Sequence, residues 1–191
     1  PLKLAYSFDS PIGGKVSTDA KNTVIRAKEA LERLGHQLIE KTPQTDGIRA
    51  MQTYYKVNGV ETAAMMESFE NLFKRSMQLD DMETMSWALY RSGLKVSGVD
   101  YSKLLSYWDD LTAEMEAFFE EYDALILPST NGPAFPHHHF KPSAQLTEKL
   151  ENIDDFPAVE QQNLIWEMFS QSLDYTPFTQ QQNLTGQPAI S

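Results

Sequence analysis

Residues 1–41, "PLKLAYSFDSPIGGKVSTDAKNTVIRAKEALERLGHQLIEK", decide the fold class. Leu2 to Phe8 alternate apolar and polar side chains, as a strand with one buried face does. "DSPIGG" (residues 9–14) then supplies proline and glycine for a turn. Ser17 or Thr18 can cap a helix, and Asp19 complements the positive end of its dipole. Ala20, Val24, Ala27, Leu31 and Leu34 step by four, three, four and three, which places them on one helical face. Gly35 suits the position just past the helix end, and "HQLIEK" (residues 36–41) returns as a second strand. Strand, helix and strand in that order imply parallel strands joined by a right-handed crossover.

Downstream, residues 47–122 read as mostly helical. "GIRAMQTYYKV", "VETAAMMESFENLFKRSM" and "METMSWALYRSG" are three segments of helical periodicity. A longer one opens at Asp100 and carries Leu104, Leu105, Trp108, Leu111, Met115, Phe118 and Phe119 on a broad apolar face. Met65, Met66, Met77, Met82 and Met85 can either line an adaptable pocket or pack as ordinary core.

A third strand follows in "DALILP" (residues 123–128), short and continuously apolar, as a strand covered on both faces would be. "STNGPAFPHHHFKPSAQLTEKLENIDDFP" reads as a long proline-rich loop, and loops of that length in compact domains carry function or move. A helix is expected over Ala158 to Leu173, then a turn-rich stretch and a closing strand near 189–191. The fold class is therefore α/β, a short mixed, mainly parallel sheet with surrounding helices. One domain is expected over 1–191, divided into a strand–helix–strand unit (1–45), a helical segment (46–122) and a strand, loop, helix and closing strand (123–191).

Composition narrows the function classes. Hydrophobic residues at 41% and charged ones at 23% suit a soluble globular protein, and no apolar run approaches the roughly 20 residues a membrane helix needs. A net charge of −11 without any basic cluster argues against a phosphate-backbone partner. No cysteine is present, which excludes disulfides, thiolate metal sites and a cysteine nucleophile from these residues. A cytoplasmic location is the simplest expectation. Since the sequence opens on a strand without methionine and stops as another strand begins, it reads as a piece of a longer protein. A sheet edge left unpaired by such a cut would invite a homodimer.

Few residues announce chemistry. His137 to His139 are adjacent, and adjacent side chains do not converge on one metal; helical sites favour i, i+4 spacing. Asp109–Asp110, Glu120–Glu121 and Asp154–Asp155 are neighbours too, while a general acid/base pair needs two groups aimed at one substrate. Gly13–Gly14 sit where a phosphate cradle would, but "SPIGGKVSTD" has neither dinucleotide nor P-loop spacing. No G-x-S-x-G elbow occurs. No metal, no organic cofactor and no catalytic residue is expected within 1–191.

Three stretches in order, residues 2–40, 122–135 ("YDALILPSTNGPAF") and 176–191 ("TPFTQQQNLTGQPAIS"), resemble the C-terminal part of amidase signature enzymes. That family includes glutamyl-tRNA amidotransferase A subunits and 6-aminohexanoate cyclic-dimer hydrolases. The pattern D-x-L-L-x-P-[ST]-x corresponds to Asp123 to Thr130, and F-T-x-x-x-N-x-x-G-x-P-A to Phe178, Thr179, Asn183, Gly186, Pro188 and Ala189. The resemblance implies hydrolysis of carbon–nitrogen bonds by a Ser–cis-Ser–Lys triad lying outside this chain, so that residues 1–191 alone would be inactive. It implies a small amide substrate, the remainder of the amidase chain as partner, and a substrate wall shaped by Ser129, Thr130, Pro133 and Phe135. Thr179 and Asn183 would hold the returning loop near that cleft. The alternative from the residues alone is a small-molecule-binding α/β module without catalysis.

Overall fold

The computed structural model describes residues 1–137 and 139–190. His138 and Ser191, which belong to the expected histidine cluster and closing strand, lie outside the described residues. The chain divides into two compact units. The first gathers Pro1–Ala50, Ser106–His137 and Ser172–Ser191; the second gathers Met51–Leu105 and His138–Gln171.

The first unit holds the sheet. Strand β1 (Lys3–Tyr6) lies between β2 (Gln37–Glu40) and β3 (Ala124–Ile126), and both neighbours run parallel to it. The α/β expectation is borne out, with every described strand pair parallel rather than mixed. Ala5 sits opposite Ile39 on one side and Leu125 on the other, and Leu4 and Ala5 are buried. Helix α1 (Thr18–Arg33) makes the crossover from β1 to β2. Ser17 is its cap: the hydroxyl oxygen accepts the Ala20 N–H at 3.2 Å. Gly35 ends the helix at φ +90°, where a side chain would be strained. Of the predicted apolar face, Val24 is buried, whereas Leu34 at the helix end stays exposed.

Two corrections concern strands. β3 is only partly buried, because it lies at the edge of this sheet; the central, covered strand is β1. Ala189 and Ile190 form no strand, and Ile190 is fully exposed, so no burial fixes them against the sheet. The turn-rich stretch before them contains a short helix, α7 (Gln181–Thr185), closed by Gly186 at φ +75°.

The second unit is helical. "GIRAMQTYYKV" and "VETAAMMESFENLF" form one helix, α2 (Gly47–Phe73), rather than two. Gly59 lies in its middle, and packing explains why it does not break the helix. A Cβ on Gly93, at the end of α3 (Thr84–Gly93), would come within about 2 Å of the Gly59 carbonyl oxygen. Two glycines thus let two helix backbones touch, and that contact offsets the ~1 kcal/mol helix cost of glycine. Helix α4 (Gly98–Glu121) begins two residues before the expected Asp100, since the Ser97 hydroxyl accepts the Asp100 N–H at 3.0 Å.

Within the stretch expected to be a loop, residues 144–151 form helix α5 (Ala144–Glu151), capped by Ser143 through the Leu146 N–H. Leu146, Leu150 and Ile153 are buried at i, i+4 and i+7. Helix α6 (Ala158–Tyr175) follows, close to its expected bounds. Met66 and Met77 join Ala63 and Tyr90 in a core cluster, so two of the methionines are ordinary packing, while Met65 and Met85 are exposed. The "ENIDDFP" segment is anchored to α3: the Asp154 carboxylate accepts from Arg91 Nε at 2.8 Å, and the Glu151 backbone carbonyl accepts the Trp87 indole N–H at 3.1 Å.

Candidate functional site

Parallel strands end together, and the loops after their carboxyl ends therefore meet on one side of the sheet. In the first unit these loops begin at Ser7, Lys41 and Leu127. Backbone bonds hold them at the exit: Ser7 N–H donates to Ile126 O at 3.1 Å, and Lys41 N–H donates to Tyr6 O at 3.0 Å.

A chain of side-chain hydrogen bonds continues the ladder. Asp9 N–H donates to Ser7 Oγ at 3.0 Å, and Thr42 Oγ1 donates to Asp9 Oδ2 at 2.7 Å. With the Thr42 proton so used, the 2.7 Å contact between Ser7 and Thr42 is a donation from Ser7. The three groups close a ring that ends on a carboxylate, the arrangement in which hydroxyl bonds are strongest. Ser7 is 1% exposed, which rules its hydroxyl out as a nucleophile towards an outside substrate.

Two cavities open in this unit, the first of them beside the ring. One, of about 440 Å³, is bordered by Asp9, Thr42, Thr45, Met115, Phe178 and Gln181. Gln181 is held in place: its amide Nε2 donates to Met115 Sδ at 2.7 Å, and its Oε1 accepts from Thr45 Oγ1. The other is a cleft of about 950 Å³ that runs along β3 and includes Tyr122, Ser129, Thr179, Gln182 and Gly186. Leu125, Leu127, Phe178 and Gln182 border both. Leu125 and Leu127 are two apart, so the pleat turns them to one face. Apolar strand residues thus form a floor, with amides, hydroxyls and carboxylates around the rim, the composition of a small-molecule site.

The six residues expected to shape a substrate wall separate in space. Ser129 and Thr179 both border the larger cleft. Thr130 turns back on its own loop, its hydroxyl donating to Gly132 O at 2.9 Å. Phe135 packs edge-to-face on Tyr175 with ring centres 4.5 Å apart, and the Tyr175 hydroxyl donates to the same Gly132 carbonyl at 3.0 Å. Pro133 is exposed, and Asn183 is an exposed residue of α7.

Asn131, which the sequence reading passed over, is the clamp of this loop. Its N–H donates to Tyr175 O at 2.8 Å and its side-chain amide to Asp174 O at 2.5 Å. Its own carbonyl accepts the N–H of Ser17, the cap of α1, at 2.7 Å. Asp9, Thr42, Gln181 and Gln182 were missed as well. Only position gave a signal, and only for two of them, since Asp9 and Thr42 each stand one residue after a predicted strand end. His137 and His139 are exposed, and among the described residues no group of three or more His, Asp or Glu side chains is placed to hold a metal.

The comparisons with known proteins agree with this architecture. A lipoamidase of Enterococcus faecalis is 32% identical over 193 residues, covering 98% of this chain and 26% of that protein. A 6-aminohexanoate-cyclic-dimer hydrolase of Pseudomonas sp. (strain NK87) is 25% identical, covering 100% of this chain and 36% of its own length. An acylamidase of Rhodococcus erythropolis is 25% identical over 154 residues, covering 78% of this chain and 31% of the enzyme. Among solved structures, 6-aminohexanoate cyclic dimer hydrolase complexed with substrate superposes with a TM-score of 0.78 at 20% identity, over 97% of this chain and 36% of that one. The chain therefore spans about a quarter to a third of the curated relatives it matches. The family model described as Amidase matches residues 1–191, and the chain belongs to the amidase family.

Proposed function

We propose that this chain is the C-terminal part of an amidase signature hydrolase that cleaves carbon–nitrogen bonds of small amides. The observation that carries the reading is the family match along all of residues 1–191. The hydrolases and amidases it resembles are about three to four times longer, which supports a chemical centre contributed by other residues. In this reading a serine outside 1–191, deprotonated through a bridging serine and a lysine, attacks the amide carbonyl. The amine leaves with a proton, and water then attacks the acyl-enzyme and restores the serine.

The part assigned to these residues is the substrate wall. Ser129, Thr179 and Gln182 offer hydrogen bonds to the polar amide, while Leu125, Leu127 and Phe178 offer an apolar floor to its acyl or amine chain. Thr130, Pro133, Phe135 and Asn183 support that wall through the loop and α7. The proposal includes a cytoplasmic enzyme and, for residues 1–191 in isolation, a homodimer through an exposed sheet edge; cell fractionation and sedimentation at two concentrations check these.

The test uses the whole protein that carries these residues. Release of p-nitroaniline from short acyl p-nitroanilides is measured, and a serine-directed sulfonyl fluoride is mapped by mass spectrometry. Hydrolysis with the label on a serine outside residues 1–191 is expected. No hydrolysis, or a label on a serine within them, overturns the proposal and leaves a binding module as the better account.

A further inference from the structure

The second unit contains a cavity that the amidase reading does not use. It has a volume of about 310 Å³ and is bordered by Tyr55 and Lys56 of α2, Lys95 and Val96 of the turn after α3, Asp100 of α4, and Trp166 of α6. That volume is at the lower limit of small-molecule sites.

We propose that this cavity binds a small aromatic carboxylate, with the ring against Trp166 and Val96 and the carboxylate between Lys56 and Lys95. Three observations on its lining lead there. Trp166 is half-buried and Tyr55 is 8% exposed, with their rings 6.4 Å apart in an edge-to-face pair. Phe169 stacks on the far side of Tyr55 at 4.3 Å, so that ring is fixed and cannot close the cavity. An aromatic guest completes such a cluster, because ring pairs gain beyond the area they bury.

The polar side of the cavity sets the sign of the ligand. Neither Lys56 nor Lys95 has a carboxylate within 4 Å among the described residues. The one carboxylate of the lining, Asp100, already accepts the Ser97 hydroxyl at 2.6 Å. Two lysines against one acid leave a net positive lining, which repels an amine and attracts an acid. The Tyr55 hydroxyl has no hydrogen-bond partner among the described residues, and burial pushes its phenol up to about 12, so it remains a donor at neutral pH. That hydroxyl can donate to an acceptor on the guest. An ionised carboxylate accepts from both lysines and the phenol together.

The experiment is calorimetric titration of 2-naphthoate into the whole protein, with neutral 2-naphthylmethanol as the control. Saturable binding of the acid and much weaker binding of the alcohol are expected. Lys56→Met and Lys95→Met, which keep the apolar stems, should each weaken the acid about tenfold, the worth of one charge-assisted hydrogen bond. Tyr55→Phe should weaken it less. Absence of saturation to about 10 mM acid overturns the proposal. So does binding that the double lysine variant leaves unchanged, because the acid then sits elsewhere, the amide-cleaving site included.

Discussion

The two units solve the same problem with different materials. In the sheet unit three short parallel strands present backbone ends, and side chains continue the ladder outward as a hydrogen-bonded ring of Ser7, Thr42 and Asp9. In the helical unit no strand is described; close glycine contact between α2 and α3, aromatic stacking and three polar ties between α3 and the α5 region hold it. The contrast teaches where chemistry is placed. Strand ends hold loop polar groups in hydrogen-bonding contact, at 2.7 to 3.0 Å, and the cleft expected to meet substrate lies in the same unit. Helix flanks leave a pocket of side chains instead, suited to holding a ligand rather than transforming one.

This contrast can be broken by substitution. Leu111→Ala removes a 1% exposed side chain from the core of the sheet unit and should cost about 3 kcal/mol in chemical denaturation. A loss well below that would mean the core collapses to refill the space. Gly93→Ala should cost about 2 kcal/mol, since the added methyl meets the Gly59 backbone and neither helix can yield freely. Amide exchange should show the loss of protection in α2 and α3; a neutral result would mean the two helices do not depend on that contact.

Smaller effects sharpen it. Thr42→Val keeps shape but opens the polar ring, leaving Asp9 and Ser7 each short of a partner. About 1 kcal/mol of stability should go, with a rise in KM for amide substrate that exceeds any fall in kcat. In the helical unit the readout is pH. Tyr55 is neutral in the folded protein up to about 12, against about 10 when unfolded. A raised phenol contributes stability that is complete below about pH 10 and disappears as pH climbs through about 12. Tyrosinate absorbance should show a phenol ionising near that upper value, and Tyr55→Phe should remove it. At the acid end Asp81 is held near 2 by the Arg75 guanidinium and by the Gln78 N–H. The pair is exposed, so acidification through that range should loosen only the turn between α2 and α3.

Much of the sheet unit was legible because its signals are local. Ser17, the Val24 face and Gly35 mark the ends and orientation of α1 within nineteen residues, and both flanking strands follow from it. What escaped depended on partners distant in sequence. The two segments expected on either side of Gly59 form one helix, in which Gly59 packs against Gly93. Helix α5 has a legible cap at Ser143 and a legible i, i+4 pair in Leu146 and Leu150, but four prolines nearby in sequence outweighed them. At the candidate site the motif residues were visible and their division of labour was not. Ser129 and Thr179 come to the cleft, whereas Thr130 and Phe135 are spent on the loop that Asn131 clamps. Hydrogen-bond geometry decides which of two adjacent hydroxyls faces a ligand, and composition does not record it.

The central claim is that the cleft along β3 receives the amide. The most direct measurement is steady-state hydrolysis by the whole protein with Thr179→Trp and Ser129→Trp, two exposed positions where a larger side chain can be carried without disturbing the core. The account predicts a KM raised about tenfold or more with kcat little changed, and a greater penalty for longer acyl chains. Unaltered KM in both variants, with unaltered preference for chain length, would place the substrate elsewhere and contradict it.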